Sequence, residues 1–226
     1  PMSSPDTNPY ITFSSSLKFN VWPQVVTLGG ALYWSADAKT WHLHTTANME
    51  AVGDSGVYKL YVRGTGNRRM TADSNPGWRI TADNPDTRVA CSGNLATLLD
   101  YKAVKNGQHP PMDEKCFENL FKDCTLLSSA PSPPAANLTY ACCRYMFEDC
   151  TNLTNAPALP ATTLANACYD SMFKGCTALT RAPELPATNL ALGCYAYMFI
   201  GCGSLTKAPA LPATTLAPAC YRQMFG

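Results

Sequence analysis

Residues 168–193 read CYDSMFKGCTALTRAPELPATNLALG, and this 26-residue pattern recurs without insertion through the second half of the chain. One phenylalanine position and two cysteine positions mark the period: Phe121, Phe147, Phe173, Phe199 and Phe225; Cys116, Cys142, Cys168, Cys194 and Cys220; Cys124, Cys150, Cys176 and Cys202. A strict period of roughly 20–50 residues is typical of a solenoid, whose units bury their apolar sides against one another. The repeat therefore predicts a solenoid over residues 116–226, with four full units and a truncated fifth.

Within one unit, the spacing of apolar residues predicts a short helix followed by a short strand. Leu164, Cys168 and Met172 recur at four-residue steps, which is the stripe of an amphipathic helix. Gly175 then ends the helix, and Gly201 ends the next one, because a left-handed residue after a helix favours glycine. Prolines keep the segment 180–185 extended. The predicted fold class of this half is an α/β leucine-rich-repeat solenoid, with short parallel strands on one side and short helices on the other.

The first half of the chain has strand-like patterns instead. Apolar and polar residues alternate over 17–21 and 58–63, and residues 31–35 and 40–44 flank a turn as in a hairpin. These short strands predict an all-β sandwich over residues 9–90, after a disordered leader at 1–8. Residues 91–115 then form the joint and the N-terminal cap of the solenoid, where Leu95, Leu98 and Leu99 share one helical face.

The 11 cysteines allow three interpretations. Nine lie on the repeat positions, where equivalent side chains in adjacent units point in parallel. Buried free thiols packed as small apolar groups are the favoured interpretation. Disulfides and zinc sites are the alternatives, although no CxxC pair or histidine accompanies the repeats.

Two features of the first half suggest metal chemistry, and each has a simpler explanation. His42 and His44 lie two apart on one strand face and could share a metal, or they could be solvent-facing residues. The segment 71–76 is echoed by 81–86, and both are rich in Asp and Asn. Such loops bind calcium in some proteins, but the same residues also form ordinary turns.

Composition excludes several functional classes. The net charge is +1, from 17 basic and 16 acidic residues, and no basic run suggests a nucleic-acid partner. No apolar run is long enough to span a membrane. The three histidines lie outside any hydrolase, metalloprotease or P-loop motif, so we expect neither an enzyme nor a cofactor. Carboxylates in the repeat, such as Glu148 and Asp170, fall at variable positions, and we expect them to be solvated. Residues 1–8 contain no signal peptide, and the repeat stops mid-unit, so we expect further repeats of the same chain.

The repeat resembles the BspA-like leucine-rich repeats of bacterial surface proteins, in the 26-residue form found in gut Bacteroidales. The matching elements are Cys-Tyr at 194–195, Met-Phe at 198–199, Gly-Cys at 201–202, Leu-Thr at 205–206 and the Ala-Thr-Thr-Leu-Ala run at 213–217. Residues 32–41 and 92–100 are similar to a module that often precedes such repeats. The resemblance implies a leucine-rich-repeat fold, an extracellular or cell-surface location and an adhesive role, without catalytic residues.

Positions that vary between units are the candidates for ligand binding. One column is formed by Ser129, Asn155, Arg181 and Lys207, beside the extended segment of each unit. We expect either that this column contacts a ligand or that it varies only because it is exposed. The ligand expected from the resemblance is a host protein or glycan at the cell surface. The alternative function is a structural or receptor-binding component of a phage tail or fibre, which would place the chain in a virion.

Overall fold

The computed structural model describes residues 8–23, 29–45, 47–54, 56–71 and 77–226. The expected leader at 1–8 lies outside these residues apart from Asn8. Within the described part of the chain, no helix is both long enough and apolar enough to cross a membrane.

The first half of the chain forms two sheets. The secondary-structure elements are β1 Ile11–Ser15, β2 Asn20–Trp22, β3 Ala31–Ser35, β4 His42–Leu43, β5 Met49–Glu50, β6 Val52–Asp54, β7 Val57–Thr65, β8 Arg79–Thr81, β9 Val89–Ser92, α1 Ala96–Lys105 and β10 Leu127–Ser129. The larger sheet has the order β10-β9-β1-β7-β3-β4, with β6 also paired to β7. The smaller sheet has the order β5-β2-β8. All described strands except β10 lie before residue 93.

The β3–β4 hairpin expected from the sequence is present, with Tyr33 opposite Leu43. Asp37 fixes its turn, because one carboxylate oxygen accepts hydrogen bonds from the amides of Lys39 and Thr40 at 2.8 and 2.7 Å. These bonds hold the pKa of Asp37 well below its usual range. The inward residues of β1, Ile11 and Phe13, are fully buried, as alternation requires.

The helix expected at the joint is α1, and the buried leucines 95, 98 and 99 hold it against the core. It is kinked at Asp100, whose backbone is not helical and whose carboxylate accepts from the amides of Lys102 and Ala103. The guanidinium of Arg63 lies between Trp41 and Tyr101, 3.8 and 4.0 Å from their ring centres. Arg63 on β7 therefore joins α1 and the β3–β4 connection to one sheet face by cation–π contacts.

The prediction of an α/β leucine-rich-repeat solenoid is wrong. Among the described residues the single helix is α1, which precedes the repeats, and the segments expected to be helical consist of turns. Only the first unit contributes a strand, the three-residue β10, and later units meet through isolated parallel bridges. The strands therefore do not close into a solenoid with a continuous parallel sheet.

Each segment expected to be a helix is instead a succession of four-residue turns. A left-handed residue recurs at every fourth position, for example at Ala167 (φ 53°), Ser171 (φ 54°) and Gly175 (φ 73°). The left-handed conformation expected at Gly175 and Gly201 is confirmed, but it occurs three times per unit rather than once at a helix end. We call these turns, over 115–124 and the equivalent residues of later units, the turn stack.

Backbone hydrogen bonding in the turn stack alternates along the chain. The amides of Phe121 and Asp123 donate to Met146 and Glu148 in the next unit, at 2.9 Å each. The intervening amide of Lys122 donates within its own turn, to Asn119 at 3.0 Å. Half of the amides therefore bind the neighbouring unit, which no α-helix allows because its amides bond within the helix.

Stacked side chains fill the interior of the turn stack. The rings of Phe121, Phe147, Phe173, Phe199 and Phe225 form one column, with neighbouring centres 5.6–5.8 Å apart and planes within 16° of parallel. All 11 cysteines are buried and none forms a disulfide. The cysteines of the column that contains Cys176 act as hydrogen-bond donors, since the thiol of Cys176 lies 3.1 Å from the carbonyl of Phe147 in the preceding unit. A thiol here fills a small apolar space and satisfies a buried carbonyl.

The first half of the chain covers the start of the turn stack. The amides of Met70 and Trp78 donate to the carbonyls of Cys116 and Leu120, at 2.8 and 2.7 Å. Trp78 is fully buried, and its ring contacts Phe13 and Phe121. The two halves therefore share one core, and they contact each other across the predicted joint at residues 91–115.

Candidate binding surface

The variable column expected from the sequence forms a row across the units. Ser129, Asn155 and Arg181 are joined by parallel bridges in successive units. Asn155 and Arg181 are exposed, whereas Ser129 is half-buried and its hydroxyl lies 3.3 Å from the carbonyl of Cys91. Lys207 is exposed and has no bridge to Arg181, but both residues line one groove.

The row also extends into the larger sheet. Ser129 is in register with Ala90 on β9, Ala90 with Ser14 on β1, and Ser14 with Lys59 on β7. Because alternate strand residues face opposite sides, these partners share the solvent face, away from buried Phe13 and Leu60. The variable column is thus the continuation of a sheet face on which Lys59 is exposed and Ser14 and Ala90 are half-buried, a relation that the sequence did not reveal.

A groove of about 950 Å³ is lined by residues of the third and fourth units. The lining residues come from the adjacent extended segments 181–186 and 206–210 and from Pro212. Four of the lining residues are prolines: Pro183, Pro186, Pro209 and Pro212. Three ionisable side chains, those of Arg181, Glu184 and Lys207, are exposed at its rim. Its volume is within the range of about 300–1,000 Å³ that ligand sites occupy.

Two other variable columns carry charges that alternate in sign from unit to unit. Lys122, Glu148 and Lys174 form one column, in which the carboxylate of Glu148 lies 2.6 Å from Lys122 and accepts from Lys174 at 2.8 Å. In the other, Arg144 donates to Glu118 at 2.7 Å. In these two columns, the opposite charges of equivalent residues in adjacent units therefore neutralise one another.

Glu148 is almost completely buried, which corrects the expectation that this carboxylate is solvated. Burial alone would raise the pKa of its carboxyl, but contacts with Lys122 and Lys174 outweigh this effect and leave the pKa below its ordinary value. The sequence does contain a sign of these ion pairs, because aligning the units gives Lys, Glu and Lys in one column.

Arg181 and Lys207 depart from this alternation. They are the one described case in which two cations occupy the same position of successive units, and neither makes an ion pair with a described residue within 4.0 Å. Glu184 lines the same groove without forming a salt bridge to either of them. The groove therefore carries a positive rim whose charge is not neutralised locally.

The structure brings together no candidate metal centre in the part of the chain that it describes. No group of three His, Cys, Asp or Glu side chains there could hold a metal ion. His42 is exposed and contacts the ring of Trp34, while burial lowers the pKa of His44. Of the suggested calcium loops, residues 72–76 lie outside the described residues, and in the second loop Asn84 accepts from the amide of Asp86 within the turn.

Burial makes most of the cysteines with a resolved pKa shift poor nucleophiles, since it raises the pKa of the Cys124 thiol to about 12 and that of Cys202 to about 11. Cys142 is different, because the thiol of Cys143 donates to its sulfur at 3.7 Å and lowers its pKa, although Cys142 is buried as well. A thiol that is protonated and inaccessible near neutral pH neither attacks a substrate nor binds a metal readily.

Comparison of the chain with protein-family models, with curated proteins and with solved structures finds no match in any of the three.

Proposed function

We propose that this chain is a non-enzymatic binding protein that acts at a bacterial cell surface and takes its ligand on the exposed row of Asn155, Arg181 and Lys207. The observation that carries the proposal is the continuity of this row with the solvent face of the larger sheet. Such a face presents side chains from several strands and units in fixed register. Rigid backbone elements are a suitable support for a recognition surface because their side chains are pre-organised.

The charge distribution supports the same surface. Buried and paired charges hold the units together elsewhere, as at Glu148, whereas the charges of the row are exposed and unpaired. The resemblance to repeats of bacterial surface proteins supports the proposed location and the host protein or glycan as the class of partner. Ser129 is a weaker candidate contact, because it is half-buried beside the Cys91 carbonyl.

The experiment is a binding screen followed by substitution of the row. Wild-type protein is tested against arrays of host mucosal glycans and extracellular matrix proteins. The affinity for each hit is then measured for a variant that combines Asn155→Ala, Arg181→Ala and Lys207→Ala. We expect this variant to lose at least about tenfold in affinity, because each lost charged hydrogen bond costs about 1.5–3 kcal/mol.

The matched control replaces three exposed lysines outside the row, by Lys39→Ala, Lys102→Ala and Lys105→Ala. This control should bind as wild type does. Absence of any wild-type binding on both arrays would contradict the proposal. So would equal affinity of the row variant and wild type, provided that both unfold at the same urea concentration.

A further inference from the structure

We propose that the groove between the third and fourth units is a subsite for the anionic groups of an acidic polysaccharide, with Arg181 and Lys207 as the binding cations. This inference rests on the proposed binding function and specifies its ligand class. It follows from three features of the groove, namely its charge, its backbone and its apolar floor.

The first feature is the pair of like charges. Equivalent residues of adjacent units are only about 5 Å apart at the backbone, which is the spacing of neighbouring strands. Two cations at that separation repel each other unless an anion lies between or beside them. Elsewhere in the described repeats no two cations occupy equivalent positions of successive units, and in one column Lys122 and Lys174 alternate with Glu148. Among the described residues no carboxylate forms an ion pair with Arg181 or Lys207, and we infer that the ligand supplies the compensating anion.

The second feature is that the walls cannot pair with a peptide as a strand does. A peptide that extends a sheet needs a row of backbone N–H and C=O groups. Four of the residues lining this groove are prolines, which lack the N–H donor. Strand addition is therefore disfavoured, which argues against an extended acidic peptide as the occupant.

The third feature is the match to a sugar polymer. The rings of Pro186 and Pro209, with Ala182 and Ala208, provide a non-polar surface for the C–H faces of pyranose rings. The carboxylate of Glu184 is available for sugar hydroxyl groups, and the hydroxyl of Thr206, which donates to the carbonyl of Thr180 at 3.2 Å, can still accept from one. Glu184 also repels anions. Removing its charge should therefore strengthen the binding of an anionic polymer, which is tested below.

The test uses immobilised protein and four soluble polymers. Heparin presents sulfate groups, polygalacturonate presents carboxylates, dextran is a neutral polysaccharide and poly-L-glutamate is an acidic peptide chain. We expect wild-type protein to bind heparin or polygalacturonate, and dextran and poly-L-glutamate at least about tenfold more weakly. We also expect affinity to fall when NaCl rises from 50 to 500 mM, because salt screens exposed charges.

Three variants separate this subsite from general charge effects. Arg181→Gln with Lys207→Gln should reduce affinity at least about tenfold. Lys102→Gln with Lys105→Gln changes the net charge equally on α1 and should leave affinity unchanged. Glu184→Gln should increase affinity by severalfold, since it removes the one carboxylate from the groove. A side chain with a purely structural role would not produce this gain.

The outcomes distinguish this inference from the broader proposal. Equal loss in both double variants, or preferential binding of poly-L-glutamate, overturns the polysaccharide subsite. Binding of a neutral glycan that depends on Asn155 but not on Arg181 and Lys207 would also overturn it while leaving the proposed binding function intact. If wild type binds none of the four polymers, the inference is wrong whatever the array screens show.

Discussion

Left-handed backbone explains why aspartate or glycine recurs at one position of the turn stack, that of Asp123, Asp149, Gly175 and Gly201. Gly175 has φ 73°, and a Cβ built on it would collide with the carboxylate of Asp149 in the preceding unit. Its equivalents Asp123 and Asp149 also have positive φ, which an aspartate tolerates better than most residues do. The position thus requires an unusual backbone angle in every unit, while the need for glycine arises only where a neighbour crowds it.

Gly175→Ala should therefore lower the free energy of unfolding by about 1–2 kcal/mol, from the left-handed angle and the crowding together. Gly203→Ala is the matched control, because a Cβ at Gly203 meets nothing within 4 Å. We expect the control to be neutral within about 0.5 kcal/mol. Urea titrations followed by tryptophan fluorescence measure both values. Equal effects at the two glycines would show that the turn geometry at Gly175 is different from that described.

At the scale of single residues, the left-handed glycines at 175 and 201 and the buried thiols were predictable, because glycine placement and repeat register are direct consequences of the residues themselves. The burial of Glu148 was not predictable, because a carboxylate in a single unit gives no sign of its partners. Those partners, Lys122 and Lys174, are 26 residues away on either side.

Elements of the turn stack are joined by the alternating charge columns as well as by backbone hydrogen bonds. Glu148 contacts the units before and after its own through Lys122 and Lys174. Because its pKa in the folded state is lowered, its stabilising effect is complete above the unfolded pKa of about 4.5 and is lost as pH falls through the folded value. The turn stack should therefore weaken in acid.

Glu148→Gln tests this linkage. Near pH 7 we expect it to lower the free energy of unfolding by about 1–2 kcal/mol, a range that allows for solvent screening of the two lysines. The difference from wild type should shrink as pH is lowered below 4.5, since the wild-type carboxyl then becomes neutral as well. Glu184→Gln is the control, as Glu184 is exposed and makes no salt bridge with a described residue. A Glu148→Gln penalty that is constant from pH 3 to pH 7 would contradict the ion-pair account.

The error in the predicted helices has a physical explanation. Apolar residues at i, i+4 and i+8, such as Leu164, Cys168 and Met172, drift only about 40° per step around an α-helix and stay on one face. Four-residue turns produce the same spacing. Only the recurrence of left-handed residues at 167, 171 and 175 separates the two, and Ala167 and Ser171 carry no marker of that backbone. The β3–β4 hairpin was predictable because its turn residues and alternation agree.

Backbone hydrogen bonds that run in one direction, from the first half of the chain through every unit of the turn stack, hold the whole molecule together. Amides of Met70 and Trp78 bind the first unit, and each unit's amides then bind the next. Period and register were predictable from the sequence. The extension of the exposed sheet face into the variable row was not, because it depends on how β9 meets β10. The proposed binding surface exists only if the units stack on one another, and on the first half of the chain, in the register described.

Scalar coupling across hydrogen bonds, measured by a long-range HNCO experiment on perdeuterated protein, tests that register most directly. The account predicts a correlation between the amide nitrogen of Phe147 and the carbonyl carbon of Met172, whose oxygen lies 3.0 Å from it. It predicts another between Trp78 and Leu120, joining the two halves of the chain. A correlation from Phe147 to Cys143, four residues earlier, would instead identify an α-helix and contradict the stack of turns.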